Sequence, residues 1–149
     1  LVDSIKDDTN RLLKITSELL NITQVESGNV QLTLFPEQPS EIVRYAIDAT
    51  KTQAEQKQIA VVFSDTTENS KVLIDHEKTA WVLTNLVSNA IRYSHENAQV
   101  TIRIFDSANT LAIAVQDTGQ GIAPQYIDKI FDRYFRVPGT ETEGTGLGL

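Results

Sequence analysis

The sequence contains no cysteine and no methionine, and only two of its 149 residues are histidine. Without cysteine there is no disulfide framework, no thiolate metal site and no thiol catalysis. Two histidines argue against a metal centre built from several imidazoles. No apolar run approaches the roughly 20 residues that span a bilayer, and no stretch has the pattern of a secretory signal peptide. The chain therefore reads as a globular domain.

Positive charge is also scarce, because 13 Lys and Arg face 20 Asp and Glu, for a net charge of −7. Such a balance argues against a surface built for nucleic acid or anionic lipid. Hydrophobic residues make up 40% of the chain, which is enough for one compact domain with a core. Any phosphate bound here must be held locally, by backbone N–H groups and a metal ion.

The chain is organised around a helix-like stretch from Asp75 to Ser94. At 100° per residue its apolar residues gather on one face: Leu83, Leu86, Val87 and Ala90, with Ile91 at the edge. This face predicts a helix that packs on a core.

A polar stripe runs along the same helix, because Asn85, Asn89 and Arg92 fall at i, i+4 and i+7, with Tyr93 beside them. Asparagine gains little in a helix interior, since its side chain competes with the backbone for hydrogen bonds. An amide oxygen is a neutral, hard ligand that Mg²⁺ accepts when phosphates supply the negative charge. The stripe is either a metal and phosphate site or an ordinary solvated face.

The N-terminal segment has a heptad pattern, with positions Leu1, Ile5, Asp8, Leu12, Ile15, Leu19 and Ile22 on one seam. Leu13 and Leu20 widen the apolar stripe, so we expect a bundle helix that ends near Gly28. A single amphipathic helix cannot bury such a face, which implies a partner helix.

The remaining pattern predicts one sheet covered by helices. A helix opens at Pro39, with Ile42, Tyr45, Ala46 and Ala49 on its buried side, and a short helix covers Gln125 to Ile130. The predicted strands are Val30–Phe35, Ile59–Ser64, Lys71–Asp75, Gln99–Phe105 and Leu111–Gln116, the last two forming a hairpin.

Directly after the hairpin comes the segment DTGQGIAP, from Asp117 to Pro124. Gly119 and Gly121 allow the backbone to approach a flat ligand closely. The carboxylate of Asp117 accepts hydrogen bonds only, so it would pair with the exocyclic amine of adenine. Two other readings remain: a simple tight turn, and the Asp-Thr-Gly triplet of aspartic proteases, which requires a second copy of the carboxylate.

The C-terminal part begins with an aromatic and basic segment, Ile130–Val137. Its aromatic residues Phe131, Tyr134 and Phe135 suggest core and hinge packing, and Arg133 and Arg136 could reach a phosphate. The polar stretch Pro138–Glu143 is typical of a mobile lid. The final GTGLGL, Gly144–Leu149, would present successive N–H groups to an anion.

In this order the motifs resemble the ATP-binding catalytic region of bacterial sensor histidine kinases. NLVSNAIRYS, DTGQGI, IFDRYFRV and GTGLGL match that family's N, G1, F and G2 boxes. RLLKITSELLNITQVESG is similar to the second helix of the family's dimerisation and phosphotransfer hairpin. The resemblance implies two domains, residues 1–28 from that hairpin and residues 29–149 for ATP binding.

The resemblance implies an α/β fold, a two-layer sandwich of a mixed sheet with helices on one face. Asn89 would ligate Mg²⁺ between the ATP phosphates, Asn85 would support the metal and phosphates, and Arg92, where the family usually has Lys, would contact phosphate. These three are the implied catalytic residues. The other implied cofactor-binding residues are Tyr93, Asp117, Gly119, Gly121, Ile122, Arg136, Gly144, Thr145, Gly146, Leu147 and Gly148.

The implied activity is transfer of the ATP γ-phosphate to a histidine, for relay to the receiver domain of a response regulator. We expect a cytoplasmic domain, whether or not the parent protein is anchored in a membrane, and a homodimer formed through the N-terminal helix. The family's acceptor histidine lies on a helix before the first one here, and neither His76 nor His95 matches it. The family also continues beyond the position of Leu149 with a helix and a β-hairpin, so we expect a fragment.

Two alternatives belong to other functional classes. One is an ATP-hydrolysing conformational switch, in which a Glu one turn before the metal-binding Asn activates water. Here that position is Asn85, which cannot serve as a base. The other is a non-catalytic module for dimerisation or nucleotide binding.

Overall fold

A computed structural model describes residues 30–67, 70–132 and 135–139, together with residues 5, 6, 8, 9, 12, 13, 15, 16, 19, 20, 23 and 28. The chain divides into two compact units, Leu1–Leu32 and Thr33–Leu149. In the first unit the described residues between 5 and 23 are helical. Their large apolar side chains are exposed at Ile5, Leu12, Leu13, Leu19 and Leu20, and Ile15 is half-buried. The predicted domain assignment, with its boundary at residue 28, stays a prediction.

The second unit contains five strands and two long helices in the described residues. In chain order they are β1 (Phe35–Glu37), α1 (Pro39–Gln56), β2 (Ala60–Asp65), β3 (Val72–Ile74), α2 (His76–Tyr93), β4 (Gln99–Ser107) and β5 (Thr110–Gln116), followed by a 3₁₀ helix (Pro124–Lys129). None of the helices in the described ranges is long and apolar enough to cross a bilayer.

The strands form a mixed arrangement. Strands β2, β4 and β5 make a three-stranded sheet in that order, with β2 parallel to β4 and β4 antiparallel to β5. Strands β1 and β3 form a separate antiparallel pair, in which Phe35 lies opposite Ile74. The hairpin between β4 and β5 turns through Ala108 and Asn109, and Ala108 has a φ of +53°.

The core lies where α1 and α2 pack on the three-stranded sheet. Alternate residues of β4 point inward and are fully buried, as expected for a strand covered on one face. The core side chains include Ile42, Val43 and Ala46 from α1, Leu83, Val87, Ala90 and Ile91 from α2, and Val100, Ile102 and Ile104 from β4. The predicted fold class, a mixed sheet with helices on one face, is confirmed.

Several local predictions are wrong. The first strand is Phe35–Glu37 and not Val30–Phe35, because residues 30–34 have no strand partner and the backbone N–H of Thr33 bonds to a side chain of α2's cap. The buried face of α1 runs through Ile42, Val43, Ala46, Thr50 and Ala54, which leaves Tyr45 and Ala49 exposed.

Two further corrections concern the C-terminal part. The short helix predicted after Pro124 is a 3₁₀ helix with no buried residue. Phe131 is 71% exposed and packs in no core of the described residues. Phe135, by contrast, is half-buried, and its ring lies 5.9 Å from that of Tyr126.

Candidate functional site

Helix α2 places the predicted polar stripe at the edge of the core. Leu83, Val87 and Ile91 are buried beneath the helix and fix its rotation. Asn85 and Asn89 are consequently half-buried, one turn apart, on the predicted stripe. Arg92 and Tyr93 are also half-buried and lie in the last turn. The four predicted residues thus share one helix whose orientation is set by packing.

The start of α2 is capped by Asp75, which is 7% exposed. Its carboxylate accepts hydrogen bonds from the backbone N–H groups of Lys78, at 3.1 Å, and Thr33, at 2.9 Å. Lys78 Nζ lies 3.2 Å from the same carboxylate. The bond from Thr33, followed by that from the Lys78 backbone, holds the pKa of Asp75 below its ordinary value, against a smaller opposing effect of burial.

The end of α2 is held by Lys57, which follows α1 in the chain. Its Nζ donates to the carbonyl oxygens of Ile91, Arg92 and Ser94, at 3.2, 2.7 and 2.9 Å. Ser94 closes the same turn, because its N–H and its hydroxyl both donate to the carbonyl of Ala90. A cation at this position also complements the negative end of the helix dipole.

The loop after β5 approaches the same end of α2. The N–H of Gly119 donates to Asp117 Oδ1 at 2.8 Å, which fixes the carboxylate of Asp117 in a local turn. A Cβ built on Gly119 would collide with the backbone carbonyl oxygen of Tyr93 and would lie 2.9 Å from Asp117 Oδ1. Glycine is therefore required here because the loop packs directly on the last turn of α2.

Gly121 and Ile122 continue this loop at the surface. Gly121 has a φ of +70°, which favours glycine, and a Cβ added there would meet no atom within 4 Å. Ile122 is 44% exposed. Arg136 is exposed as well. In the described residues, the contact between α2 and the loop is made by the first turn of the loop.

Other predicted residues lie outside the described part of the chain. They are Arg133, Tyr134, the segment 140–143 of the predicted lid, and Gly144, Thr145, Gly146, Leu147 and Gly148. Their roles stay predictions. Of the predicted lid only Pro138 and Gly139 are described, and they form a turn in which Gly139 has a φ of +84°.

The donor chemistry of the stripe fits a magnesium ion that is shared with phosphates. Within residues 30–67, 70–132 and 135–139 and the described N-terminal positions, no three His, Asp or Glu side chains come together as a metal site. The predicted cation ligands, the amide oxygens of Asn85 and Asn89, stay a prediction, in which the bound ligand supplies the charge balance.

Sequence reasoning missed Lys57. In the sequence it stands in the polar run Gln53–Gln58, where nothing distinguishes it from a solvated surface lysine. Its contacts join residues that are 34 to 37 positions apart. Only the packing of α1 beside α2 reveals them, so no short motif could have indicated the role.

The comparisons with known proteins extend over this site. Residues 74–149 match the family model described as histidine kinase-, DNA gyrase B-, and HSP90-like ATPase. The chain is 33% identical over 152 residues to the sensor histidine kinase WalK of Bacillus subtilis (strain 168), and 27% identical over 151 residues to the sensor protein SrrB of Staphylococcus aureus (strain NCTC 8325 / PS 47). Each alignment covers 97% of this chain but only 24% and 25% of those relatives.

Solved structures show the same fold. The catalytic domain of the histidine kinase ThkA superposes with a TM-score of 0.70 at 28% identity, covering 78% of this chain and 75% of that one. Full-length ShkA, crystallised with AMPPNP, superposes with a TM-score of 0.84 at 22% identity and covers 99% of this chain and 31% of that one.

Proposed function

Since the chain belongs to the family of histidine kinase-, DNA gyrase B- and HSP90-like ATPases, we propose that it binds MgATP and supplies the γ-phosphate to a protein histidine. Its relatives include sensor histidine kinases, so the resemblance seen in the sequence is confirmed. The chain spans about a quarter of the length of those relatives. Phosphoryl transfer by the whole protein is accordingly a proposal.

The observation that carries the proposal is the contact between the loop of Asp117 and the last turn of α2. It brings a carboxylate suited to an adenine amine next to the helix that bears two amides and an arginine. A nucleotide could therefore be read at its base by one element and at its phosphates by the other. Arg92 supplies positive charge for a triphosphate, and the stripe amides supply oxygen ligands for the Mg²⁺ that accompanies it.

The residues of the chain contribute to transfer by positioning and charge compensation. Asn85 and Asn89 would hold the Mg²⁺, which neutralises charge on the phosphates when it is bound. Asp117 would orient the base, and Arg92 would hold a phosphate oxygen. Asn85 cannot accept a proton from water, whereas a Glu at that position could. The site therefore favours transfer to a protein over hydrolysis.

We further propose that the acceptor histidine lies on a helix preceding residue 1, and that a receiver domain takes the phosphoryl group from it. His76 bonds to Glu37 at 2.8 Å and His95 is exposed in the turn after α2, so both belong to the ATP-binding unit. The structure of ThkA with the response regulator TrrA describes such a partnership for a protein of this fold. Dimerisation through the N-terminal helix is proposed from its exposed apolar residues.

The proposal is tested by titrating ATP and GTP, with and without Mg²⁺, into the wild-type chain and two variants. Asn89→Ala should weaken ATP binding about tenfold or more in the presence of Mg²⁺ and little in its absence, because an oxygen ligand is lost. Asp117→Asn should reduce the preference for ATP over GTP, because an amide can donate where the carboxylate cannot. Unchanged profiles in both variants would overturn the site.

The transfer step is tested separately with γ-labelled ATP. The N-terminally extended protein should acquire acid-labile label on its upstream histidine, and the present chain should remain unlabelled. Rapid phosphate release by the present chain would instead assign it to the hydrolytic class.

A further inference from the structure

We propose that Lys57 is a positioning residue for the base-binding loop, which it controls through the last turn of α2. The expected effect of Lys57 on the choice between ATP and GTP rests on the proposed function. The positioning of the loop by Lys57 is argued from the contacts alone. In the described residues, the side-chain bonds of Lys57 all go to backbone carbonyls, those of Ile91, Arg92 and Ser94. Its influence must therefore pass through the backbone that it binds.

Carbonyl groups at the end of α2 have hydrogen-bond partners outside the helix. The last four carbonyls of a helix lack partners within it. The carbonyl of Ala90 is bonded by Ser94, and those of Ile91 and Arg92 accept from Lys57. The carbonyl of Tyr93 remains, and it is the one against which Gly119 packs. The turn that carries it is thus fixed on both sides by bonds from Ser94 and Lys57.

Gly119 links the loop of Asp117 to the last turn of α2. Gly119 packs against the backbone carbonyl of Tyr93 because it has no Cβ. A small shift of this carbonyl should therefore displace the loop that packs on it. Gly119 in turn donates its N–H to Asp117 Oδ1. The direction of the Asp117 carboxylate consequently depends on the last turn of α2, and that turn depends on the ammonium group of Lys57.

The connection following α2 is tied to the same lysine. The N–H of Asn97 donates to the backbone carbonyl of Lys57 at 3.2 Å, and Asn97 has a φ of +61°. Immediately afterwards the N–H of Ala60 donates to the carbonyl of Ala98 at 3.0 Å, where β2 begins beside β4. Lys57 therefore binds the turn with its side chain and the following loop with its backbone.

Gln53 provides a matched control, because it joins the same two helices one turn earlier. Its Nε2 donates to the carbonyl of Ser88 at 3.3 Å, and its Oε1 accepts from the hydroxyl of Ser88 at 3.0 Å. Gln53→Met removes a bond between α1 and α2 without touching the last turn. Lys57→Met removes the bonds to the last turn and leaves the Gln53–Ser88 pair intact.

The test compares amide hydrogen exchange in the full 149-residue chain without nucleotide. Lys57→Met should raise the exchange rate of Gly119 and of the last turn of α2 at least tenfold, while Gln53→Met should leave Gly119 unchanged. Lys57→Arg, which keeps a cation and several donors, should restore most of the protection. Equal exchange at Gly119 in Lys57→Met and Gln53→Met would overturn the inference.

The second readout is the ratio of ATP to GTP affinity, measured well below each variant's unfolding temperature. Lys57→Met should lower this ratio, because a displaced Asp117 discriminates less between the bases. Gln53→Met should keep the wild-type ratio. If Lys57→Met keeps the wild-type ratio of ATP to GTP affinity, the inference is overturned. If the unmutated chain binds neither nucleotide, the proposed function is overturned. In that case the hydrogen-exchange result alone tests the role of Lys57.

If Lys57→Met does not fold, Lys57→Gln takes its place, since its amide can still donate to one carbonyl. It should give intermediate exchange at Gly119 and an intermediate affinity ratio. Wild-type values for both in Lys57→Gln would contradict a positioning role.

Discussion

The carboxylate of Asp75 caps the start of α2 and the ammonium group of Lys57 binds its end, and the two groups connect the helix to different parts of the chain. At the start, Asp75 bonds the helix to the chain leading into β1 through Thr33. At the end, Lys57 bonds the turn on which the loop of Asp117 rests. Each charge lies at the helix end of opposite partial charge, so both interact favourably with the helix dipole. Changes at the start should therefore alter folding stability, and changes at the end should also alter ligand binding.

The largest effect is expected at the end of α2 from Gly119→Ala. The added methyl group collides with the Tyr93 carbonyl, which belongs to a fixed backbone, so the loop must move. Overpacking of this kind costs about 1–3 kcal/mol, and because binding needs the loop in its native position we expect the Kd for ATP to rise by about 5- to 150-fold. Isothermal titration with ATP measures the change.

Gly121→Ala is the control for Gly119→Ala. It meets no atom within 4 Å but suffers the strain of a positive φ, which costs about 1 kcal/mol. Its ATP affinity should therefore fall less. Equal losses in the two variants would mean that strain in the loop, and not contact with α2, determines the effect.

A smaller effect, confined to stability, is expected at the start of α2. The pKa of Asp75 is lowered in the folded chain, chiefly by the Thr33 and Lys78 backbone bonds. The contribution of this carboxylate to the free energy of unfolding is therefore complete above the pKa of the unfolded carboxyl, near 3.8. It is lost as the pH falls through the pKa of the folded state. Asp75→Asn should be less stable at pH 7 and should lose less stability on acidification.

Urea denaturation of both proteins between pH 7 and pH 3 measures this difference. ATP affinity at pH 7, measured at a temperature where both are folded, should be nearly unchanged in Asp75→Asn. If the stability of the two proteins changes with pH in the same way, the Asp75 carboxylate does not have the assigned role. If Asp75→Asn loses much ATP affinity, the two ends of α2 do not differ in the way described.

The smallest effect is expected for His76→Gln, also at the start of α2. The ring of His76 is half-exposed, lies 2.8 Å from Glu37 Oε2 and meets the ring of Tyr45 edge to face. An exposed pair of this kind contributes less than about 1 kcal/mol. Thermal unfolding at pH 7 should shift by only a few degrees, and nucleotide affinity should stay the same. A larger shift would indicate that this contact anchors β1 to α2.

The sequence predicts α2 well because its apolar periodicity is continuous along the whole stretch. The predicted stretch Asp75–Ser94 contains the observed helix His76–Tyr93, with Asp75 and Ser94 as its caps. The hairpin of β4 and β5 follows equally from alternating β-branched residues around a short polar turn. These elements are determined by neighbouring residues, which a pattern can reveal.

The elements that the sequence predicts poorly depend on distant partners. The alternation in Val30–Phe35 is genuine, but β3 offers only Val72–Ile74 for pairing, so the strand forms at Phe35–Glu37. Tyr45 has the spacing of a buried residue, yet α1 turns Val43 and Thr50 toward the core instead. In the candidate site, Asp117 and Gly119 were found from their motif, whereas Lys57 acts through contacts that no local pattern encodes.

The parallel pairing of β2 with β4 has a consequence for how the chain folds. Ala60 pairs with Gln99, so about 40 residues, including the whole of α2, separate the two paired strands in the sequence. Closing a loop of that length costs entropy before any contact compensates for it, which slows the search for the native pairing. During synthesis β2 emerges about 40 residues before β4, so it has no β4 strand to pair with until that segment is made. Because α2 lies in the crossover between β2 and β4, we expect the asparagine-bearing surface to assemble on the sheet only when β4 docks beside β2.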